Sequence, residues 1–311
     1  MRVLVTGGAG FIGSSIAENL SNQYEVIVLD DFSTGKASNI AAFRKRIKFV
    51  RGSILNERTL NKVMGNVDVV LHQAAIPSVP KSIKDPVGTS KVNIIGTLNI
   101  LEWARKKDVK RVVLASSSSV YGDKPILPKV ESMPPEPKSP YASAKAINEQ
   151  HAKQFYEFYG LETISLRYFN VYGERQDPKS EYAAVIPSFI CRMLNNKPPI
   201  VYGDGSQTRD FTFIDDVVAA NIRAILTKNK GAFGKSINIA GGRRVSILGL
   251  ISALNKILKK DISPIFEKER PGDVKHSWAD ISLAKKLLGW EPKINLEEGL
   301  RRTIEWYKKI L

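Results

Sequence analysis

Residues 3–30, VLVTGGAGFIGSSIAENLSNQYEVIVLD, contain the strongest structural signal in the sequence. A short apolar run leads into Gly7, Gly10 and Gly13, a helical pattern follows, and a second apolar run ends in Asp30. Glycines at this spacing, where a strand turns into a helix, allow a tight turn, a close approach of backbone to a pyrophosphate, and close packing of helix on sheet. The stretch therefore predicts a dinucleotide-binding βαβ unit.

Asp30 indicates which dinucleotide this unit binds. An acidic side chain at the end of the second strand is placed to bind the ribose 2′-hydroxyl, and its charge repels a 2′-phosphate. The sequence therefore favours NAD over NADP, and Lys36 in the next loop weakens this preference without reversing it. Ile12, Ile16 and Leu20 recur every four residues and are expected to press the intervening helix onto the sheet.

Further apolar runs alternate with helical patterns along the chain. The strand-like runs are residues 47–50, 67–72, 112–115 and 163–166, and the helical segments include 92–106 and 142–159. This alternation predicts an α/β fold, a Rossmann-type doubly wound parallel sheet with helices on both faces. Ligands bind such sheets at the carboxyl ends of the strands, so the residues that follow each run are candidates for the functional site.

We expect two domains. The predicted NAD-binding domain covers residues 1–170, and residues 211–245 return to it because they contain a helical pattern followed by a strand-like run. Residues 171–210 and 246–311 are expected to form a smaller C-terminal domain that binds the substrate.

The composition, 43% hydrophobic and 25% charged, is that of a globular protein in water. No apolar run approaches the length of a membrane span and no secretory leader pattern is present, so we expect a cytoplasmic protein without a membrane partner. Cys191 is the only cysteine, which excludes an internal disulfide. His72, His151 and His276 are too far apart in sequence to pair at helical spacing, and we expect no metal site.

The formal net charge is +16, from 47 Lys and Arg against 31 Asp and Glu. The basic residues are dispersed, with only short clusters such as 105–107 and 308–309. This distribution is typical of solvated helix faces, and we expect no nucleic-acid partner. The positive charge also suits attraction of a phosphate-bearing substrate.

A second stretch, SPYASAK at residues 139–145, predicts a helix start with chemistry on one face. A serine cap followed by proline begins the helix, which places Tyr141 and Lys145 one turn apart. A nearby ammonium stabilises a phenolate, as would the positive nicotinamide of oxidised NAD, so Tyr141 could act as a base near neutral pH. Residues 116–119 are serines at a strand end in the same crevice and can supply a hydroxyl to the reacting oxygen.

Taken together, these motifs resemble those of extended short-chain dehydrogenases/reductases, specifically nucleotide-sugar 4-epimerases of the UDP-glucose/UDP-N-acetylglucosamine type. The resemblance extends over essentially all 311 residues, through GGAGFIG (7–13), ASSSSVYGD (115–123), SPYASAK (139–145), LRYFNVYG (166–173), GDGSQTRDF (203–211) and RPGDV (270–274). It implies NAD as the cofactor and a UDP-sugar as the substrate.

The resemblance also implies roles for individual residues. The catalytic residues are Tyr141 as base, Lys145 as its electrostatic partner and ribose ligand, and Ser117 as the supporting hydroxyl. The cofactor-binding residues are Gly7, Gly10, Phe11, Ile12, Gly13, Asp30, Asp31, Ser53, Ile54, Gln73, Ala74, Ala75, Asn93, Tyr141, Lys145, Tyr168 and Phe169. The substrate-binding residues are Ser117, Ser118, Ser119, Tyr141, Asn170, Ala184, Val185, Tyr202, Arg209, Arg270, Asp273 and Ser277.

Within these sets, the resemblance places Tyr168 and Phe169 beside the nicotinamide, and Asp273 on the uridine ribose. Asn170, Arg209 and Arg270 match groups that hold the sugar-nucleotide diphosphate, which agrees with the affinity of arginine for phosphate. One departure is Ser53, because the family usually has an acid near the adenine ring at this position.

The family's shared first step is removal of the sugar 4-hydroxyl proton by Tyr141 while hydride passes from carbon 4 to NAD. Relatives that then eliminate water or carbon dioxide carry acids just after the catalytic hydroxyl, where this sequence has Ser118 and Ser119. The resulting 4-keto sugar can therefore turn about its phosphate link and take the hydride back on its opposite face. The resemblance thus favours 4-epimerisation with NAD retained through each cycle.

Ser277 bears on which sugar is used. In the resembling family a bulky tyrosine at this position favours plain hexoses, whereas a small serine leaves room for an N-acetyl group. We therefore favour UDP-N-acetylglucosamine and UDP-N-acetylgalactosamine, together with UDP-glucose and UDP-galactose, and Ala183, Ala184 and Val185 resemble the acetyl-accepting subgroup as well. A UDP-glucose-only enzyme, a UDP-glucuronate 4-epimerase and a non-catalytic NAD-binding sensor stay open as alternatives.

The helical segments 92–106 and 142–159 resemble those that pair relatives into homodimers through a four-helix bundle. Exposed apolar positions at Ile147 and Phe155 are compatible with this surface, and their burial against the sheet is the alternative. We therefore expect a homodimer.

Overall fold

The structure, a computed structural model, describes residues 1–178, 184–269 and 274–311. Its strands are β1 (Arg2–Thr6), β2 (Glu25–Asp30), β3 (Ile47–Arg51), β4 (Val69–His72), β5 (Arg111–Ser117), β6 (Glu162–Tyr168), β7 (Val171–Tyr172), β8 (Ile200–Tyr202), β9 (Thr208–Arg209), β10 (Thr212–Phe213), β11 (Lys235–Ile239), β12 (Val245–Ser246) and β13 (Ile265–Glu267). Its α-helices are α1 (Phe11–Leu20), α2 (Ala37–Ile40), α3 (Glu57–Val63), α4 (Val79–Lys84), α5 (Pro86–Ser90), α6 (Gly96–Lys106), α7 (Pro140–Tyr159), α8 (Val185–Leu194), α9 (Ile214–Leu226), α10 (Ile247–Leu258), α11 (Ser282–Leu288) and α12 (Leu296–Ile310). A π-helical turn, Lys91–Ile95, runs directly into α6, and Ser118–Tyr121 forms a 3₁₀ turn.

Seven of these strands form one parallel sheet in the order β11-β6-β5-β4-β1-β2-β3. The chain moves outward from β1 in one direction and then returns to build the other half from β4. The strand order therefore reverses between β1 and β4. In open parallel sheets a crevice forms at such a reversal, outside the carboxyl ends of the strands, and ligands bind there.

Alternate residues of the central strands are buried on opposite faces of this sheet. Val3 and Val5 of β1 pack into one hydrophobic cluster, together with residues of α1 and α9, whereas Leu4 packs into a second cluster with residues of α3, α6 and α7. Burying each such side chain contributes about 1.5–3 kcal/mol. The predicted doubly wound α/β fold, with helices on both faces, is confirmed.

Most predicted elements lie within a few residues of the observed ones. The predicted strand at 67–72 is shortened to β4, and the predicted helix at 92–106 begins with the π-helical turn before α6. In α1, Ile16 and Leu20 are buried as expected, and Ile12 packs at the edge of the same cluster.

Segments from the second half of the chain continue the fold of the first half. β11 pairs with β6 as the last strand of the sheet, and the cluster that contains Val3 also includes Phe189 of α8, Leu250 of α10 and Ile304 of α12. The division into two domains at the predicted boundaries stays a prediction.

The expected exposure of Phe155 is wrong. Its side chain is only 8% exposed, because it faces the cluster beneath α7 and packs edge-on against Tyr159, with ring centroids 5.1 Å apart. Ile147, two turns earlier in the same helix, is 39% exposed.

Over the three described ranges, we find no helix that is both long and apolar enough to cross a membrane. The same residues contain no group of three His, Cys, Asp or Glu side chains that could hold a metal ion.

Candidate active site

The first turn of α7 is fixed by two serines. Ser139 caps the helix, and its hydroxyl accepts a hydrogen bond from the Ala142 N–H at 3.2 Å, as the sequence predicted. The Tyr141 N–H donates to the Ser82 hydroxyl of α4 at 3.1 Å. Two of the amides that a helix start leaves without intrahelical partners are therefore satisfied, and the backbone of Tyr141 is held in place.

The structure brings the three predicted catalytic side chains together. The Tyr141 phenol is hydrogen-bonded to the side chain of Ser117 at the end of β5. The Lys145 ammonium lies 5.8 Å from the centre of the Tyr141 ring and donates to the Ala115 carbonyl at 2.7 Å. Helix α7 and strand β5 thus position phenol, hydroxyl and ammonium at one carboxyl end of the sheet.

The electrostatics of this trio depart from the simplest expectation. Burial raises the pKa of Tyr141 above its ordinary value, and the hydrogen bond with Ser117 only partly opposes this. Burial also lowers the pKa of Lys145 to about 8, against the opposing influence of Glu149. The protein alone therefore leaves Tyr141 protonated at neutral pH, and its use as a base needs further positive charge.

The serine-rich end of β5 folds back on Ser117. The Ser119 N–H and hydroxyl donate to the Ser117 oxygen at 3.2 and 2.9 Å, so Ser117 caps the 3₁₀ turn that follows. Ser118 and Ser119 are half-buried in this turn. The predicted row of hydroxyls therefore lies beside Tyr141 in a fixed arrangement.

The glycine turn after β1 has the shape that a dinucleotide requires. Gly7 has φ +67°, and a Cβ atom there would come within 2.6 Å of the Ala74 nitrogen in the loop after β4. A Cβ atom at Gly13 would overlap the Gly7 carbonyl. Only glycine leaves this cradle open between turn, helix and loop, so the residues present fit NAD. Phe11 and Ile12, at the start of α1, are partly buried beside it.

Asp30 braces the glycine turn. Its carboxylate accepts hydrogen bonds from the Ala9 N–H at 2.9 Å and the Phe32 N–H at 2.8 Å. Burial nevertheless raises the pKa of Asp30. A carboxylate has about four acceptor positions, so these two bonds leave acceptors for ribose hydroxyls. The neighbouring Asp31 side chain accepts from the Ser33 N–H at 2.9 Å and is exposed.

Asn93 makes two hydrogen bonds to the loop after β4. The Asn93 side chain accepts from the Ile76 N–H at 2.8 Å and donates to the Ile76 carbonyl at 3.1 Å. Asn93 is buried, so the structure assigns it the support of the loop that carries Gln73, Ala74 and Ala75.

Tyr168 is fixed by Gln73, a predicted cofactor residue, and by Asn221, which the sequence did not single out. Its hydroxyl accepts from the Asn221 amide at 2.8 Å and from the Gln73 amide at 3.2 Å. Burial raises the pKa of Tyr168 to about 12, so it stays neutral. Asn221 and Ser82 were missed because their importance comes from contacts across the fold, for which the local sequence carries no signal.

Two predicted cofactor residues have side chains that face the core. Phe169 is fully buried with Val120 and Tyr121, its N–H donates to the Ile239 carbonyl at 3.0 Å, and its carbonyl accepts from the Thr212 hydroxyl at 2.6 Å. A contact of Phe169 with the nicotinamide would therefore come from its backbone, and this role stays a prediction.

Ile54 is buried under α6, so a cofactor contact there would come from its backbone. Ser53 lies just beyond β3, and its hydroxyl accepts from the Leu55 N–H at 3.2 Å.

A cleft of about 270 Å³ opens beside the end of β6. The predicted substrate residues that line it are Asn170, Ala184, Val185, Tyr202 and Arg209. Asn170 has φ +34°, which is unusual for a residue other than glycine, and its amide donates to the Asp210 carbonyl at 3.0 Å. Backbone held in such a conformation is often found at ligand sites.

Ser277 lies next to this cleft. Its N–H donates to the Thr208 carbonyl at 3.0 Å, immediately before Arg209. The predicted residues Arg270 and Asp273, together with Ala183, lie outside the described residues.

The segment after Ser277 is joined to the sheet by Asp210, another residue that the sequence did not single out. Its carboxylate accepts from the Ala279 N–H at 3.2 Å and from the Arg243 N–H at 3.4 Å, and burial raises its pKa to about 7.

Comparison with known proteins agrees with this geometry. Residues 3–240 match the model of the NAD dependent epimerase/dehydratase family. The UDP-glucose 4-epimerase of Mycolicibacterium smegmatis is 37% identical over 314 residues, covering 99% of both chains.

Two solved structures are similar over essentially their whole length. One is UDP-N-acetylglucosamine 4-epimerase from Methanobrevibacter ruminantium in complex with UDP-N-acetylmuramic acid, with 38% identity, a TM-score of 0.95, and coverage of 100% of this chain and 99% of that one. The other is UDP-glucuronic acid 4-epimerase from Bacillus cereus in complex with UDP-glucuronic acid and NAD, with 38% identity, a TM-score of 0.93 and full coverage of both chains. This chain belongs to the NAD-dependent epimerase/dehydratase family.

Proposed function

We propose that this protein interconverts UDP-N-acetylglucosamine and UDP-N-acetylgalactosamine, and also UDP-glucose and UDP-galactose. The enzyme class is NAD-dependent UDP-sugar 4-epimerase. The choice of an acetylated sugar rests on the small side chain of Ser277, whose backbone N–H is bonded to the Thr208 carbonyl, one residue before Arg209 of the cleft. A relative named for UDP-N-acetylglucosamine, at 38% identity, agrees with this choice.

The cofactor is NAD, and it would be held by the glycine turn, Asp30, the loop at 73–75 and Lys145. When bound, NAD supplies reversible oxidation of carbon 4 of the sugar. Tyr141 takes the proton from the sugar 4-hydroxyl while Ser117, in contact with the phenol, binds the same oxygen. Lys145, as a cation, stabilises the phenolate that results when Tyr141 is deprotonated.

The remaining residues let the 4-keto sugar rotate in the site and do not promote its elimination. Asn170 and Arg209 are placed in the cleft to hold the diphosphate, which keeps one end of the substrate fixed while the sugar ring rotates. Ser118 and Ser119 offer hydroxyls and no acid, so elimination from the keto sugar is not promoted. Once the sugar has turned and the hydride has been returned to the opposite face of carbon 4, Tyr141 gives its proton back to the 4-oxygen, which completes the 4-epimer.

The test is incubation of the purified protein, without added cofactor, with UDP-N-acetylglucosamine, UDP-glucose and UDP-glucuronate in separate reactions. Chromatography resolves the 4-epimers. We expect conversion of the first two. Conversion of UDP-glucose alone would contradict the role of Ser277, and release of stoichiometric NADH during turnover would contradict the closed cycle.

UDP-glucuronate is the second candidate substrate. The Bacillus cereus enzyme that binds it is as similar in identity as the acetyl-sugar relative. The hydroxyls of residues 117–119 can also donate hydrogen bonds to a sugar carboxylate. Conversion of UDP-glucuronate alone in the same assay would favour this candidate.

We also propose that two copies of the chain form a homodimer through the outer surface of α7. Helices α4 and α5 and the π-helical turn pack against α7. Each of these four elements carries an exposed apolar side chain: Ile83 in α4, Val87 in α5, Ile95 in the π-helical turn and Ile147 in α7. Contiguous exposed apolar groups are typical of interaction surfaces. Sedimentation velocity should give a dimer, and Ile147→Asp should shift it toward monomer; a wild-type monomer would contradict the proposal.

A further inference from the structure

Helix α7 contacts the end of β5 through three residues on successive turns. Tyr141 is hydrogen-bonded to Ser117, Lys145 donates to the Ala115 carbonyl at 2.7 Å, and Glu149 accepts from the Ser116 hydroxyl at 2.5 Å. Three residues on one face of the helix therefore contact the three consecutive residues that end the strand. The first two pairs contain the candidate catalytic groups. The third pair, through Glu149, has been assigned no role above.

Glu149 is a buried carboxylate with a dedicated counterion. Its side chain is 7% exposed, and Arg167 of β6 donates to both of its oxygens, at 2.9 and 2.7 Å. Arg167 also donates to the Tyr121 hydroxyl at 2.7 Å, and that hydroxyl donates to the Asn238 side chain at 2.7 Å. A buried ion pair of this kind contributes little net stability compared with apolar residues of the same size. Stability alone therefore does not explain why Glu149 and Arg167 are charged, which points to another use.

We propose that Glu149 is a positioning residue for the 4-epimerase reaction, which holds the end of β5 in register with α7 and maintains the positive charge on Lys145. The inference rests on the proposed roles of Tyr141, Lys145 and Ser117. Glu149 acts on the reaction through Lys145 and Ser116, and it does not contact the reacting atoms.

The charged and titratable groups around Lys145 support this role. Glu149 and Tyr141 lie on the same helix, and His72 faces Lys145 from β4. His72 is neutral, because burial and the charge of Lys145 lower its pKa to about 3. Burial lowers the pKa of Lys145 to about 8, and the carboxylate of Glu149 opposes that fall. Arg167 lies behind Glu149 and neutralises much of its charge.

The sign of the effect follows. Lys145 acts as a cation, which it is below its pKa. Removing the charge of Glu149 lowers that pKa, so the cation is lost at a lower pH. The alkaline limb of the pH profile of kcat should therefore move to lower pH.

Two substitutions at Glu149 separate charge from shape. Glu149→Gln keeps the length and one acceptor oxygen for Ser116 and Arg167, removes the charge, and replaces the second acceptor, which now binds Arg167, with an amide donor. Its alkaline limb should move down by about one pH unit. From a wild-type pKa of about 8, kcat at pH 7.5 should then fall by about threefold, with KM for the UDP-sugar within about twofold. Glu149→Asp keeps the charge and shortens the reach. It should lower kcat because the end of β5 is no longer held in register with α7, and it should leave the alkaline limb of the pH profile where it is in the wild type.

Glu162→Gln is the matched control. Glu162 pairs with Arg111 between the same two strands, at their opposite end, with a closest N–O distance of 2.6 Å. This variant should lose stability and keep both kcat and the pH profile of the wild type. A shift of the limb in Glu162→Gln equal to that in Glu149→Gln would overturn the proposal.

A second readout does not depend on turnover. NMR of holoenzyme labelled with [¹³C]lysine, with the Lys145 signal identified from its loss in Lys145→Arg, gives the pKa of Lys145 directly. It should be lower in Glu149→Gln than in wild type, and unchanged in Glu149→Asp and Glu162→Gln. An unchanged pKa in a folded Glu149→Gln would overturn the inference even if the enzyme is active, whereas absence of epimerisation by the wild type would remove the proposed function and leave this measurement valid. If Glu149→Gln does not fold, a shifted Lys145 pKa in Glu149→Asp overturns the inference.

Discussion

An Arg–Glu pair lies at each end of strands β5 and β6, and the two pairs serve different purposes. At the amino end, Arg111 binds Glu162 and donates to the carbonyls of Ala224 and Ile225, which close the last turn of α9, at 3.0 and 2.6 Å. At the carboxyl end, the corresponding pair touches Ser116, one residue before the candidate catalytic hydroxyl. The same ion-pair chemistry secures a helix in one place and supports a site in the other.

The difference follows from the topology of a parallel sheet. All strands point the same way, so the carboxyl ends meet at the edge where ligands bind, and the amino ends meet at the opposite edge. A cation at a helix C-terminus is favourable because of the helix dipole and the unpaired carbonyls there. We therefore expect substitutions at the two ends to separate activity from stability.

The largest effect is expected from Tyr141→Phe, at the carboxyl end. Removing the phenol removes the base, and loss of general base catalysis should lower kcat by about a thousandfold. NAD should still copurify, because the glycine turn and Asp30 are untouched. Chromatographic assay of the 4-epimer gives kcat, and the ultraviolet absorbance of the released nucleotide gives the amount of bound NAD. Retained turnover with Tyr141→Phe would remove Tyr141 from the reaction, whereas lost NAD binding would assign it to the cofactor site alone.

The next largest effect is expected at the amino end, from Arg111→Met. It leaves Glu162 without its partner and the end of α9 without its donor. Because Glu162 is 24% exposed and can be partly hydrated, the loss should be about 2–3 kcal/mol of unfolding free energy, at or below the low end for a broken buried pair. Urea denaturation measures it, and kcat should stay within about twofold of the wild type.

The matched variant at the carboxyl end is Arg167→Met. It should destabilise the protein and also lower kcat, because Arg167 binds both oxygens of Glu149 and its loss releases the contact that holds the end of β5 against α7. If Arg111→Met lowers kcat as much as Arg167→Met does, the separation between the two ends is wrong.

The local sequence was sufficient for the parts of the site that lie next to a turn or cap. The glycine turn, the cap at Ser139 and the alternation of the strands each follow from short-range sterics and hydrogen bonding, and the structure agrees with them. The identification of the fold, the family and the cofactor followed from these motifs and is confirmed.

What the sequence did not predict depends on contacts between distant segments. Phe155 and Phe169 are apolar residues whose periodicity is compatible with either of two faces, and only the packing of neighbouring elements buries them. Likewise Ser82 and Asn221 acquire their importance from Tyr141 and Tyr168, which lie 59 and 53 residues away. Such pairings arise from topology, which short-range patterns do not encode.

A smaller effect is expected from Ser277→Tyr, which tests whether the carboxyl end also sets substrate choice. The segment after Ser277 is tied to the ion-pair network, because Asn238 donates to the Asp280 carbonyl at 3.2 Å. A bulky ring should exclude the N-acetyl group, and the ratio of kcat/KM for acetylated over plain sugar should fall by about 10–100-fold. Assays with both sugars measure this ratio. Ser277→Ala is the control and should leave it near the wild-type value, whereas an unchanged ratio in Ser277→Tyr would contradict the assignment of this pocket.

The smallest effect is the pH dependence of the wild type itself. Lys145 is a cation below a pKa of about 8, so kcat should be constant below that pH and fall as the pH rises through it, by about tenfold at one unit above the midpoint. The amino end offers a contrast, because the Arg111–Glu162 pair lies at the other end of the strands from Lys145, and stability should not follow the same curve. Measuring kcat and urea stability in the same buffers from pH 6.5 to 9.5 therefore compares the two ends in one protein. A loss of stability that tracks the loss of kcat would mean that the alkaline limb reports unfolding, and the difference between the two ends would then not be one of function.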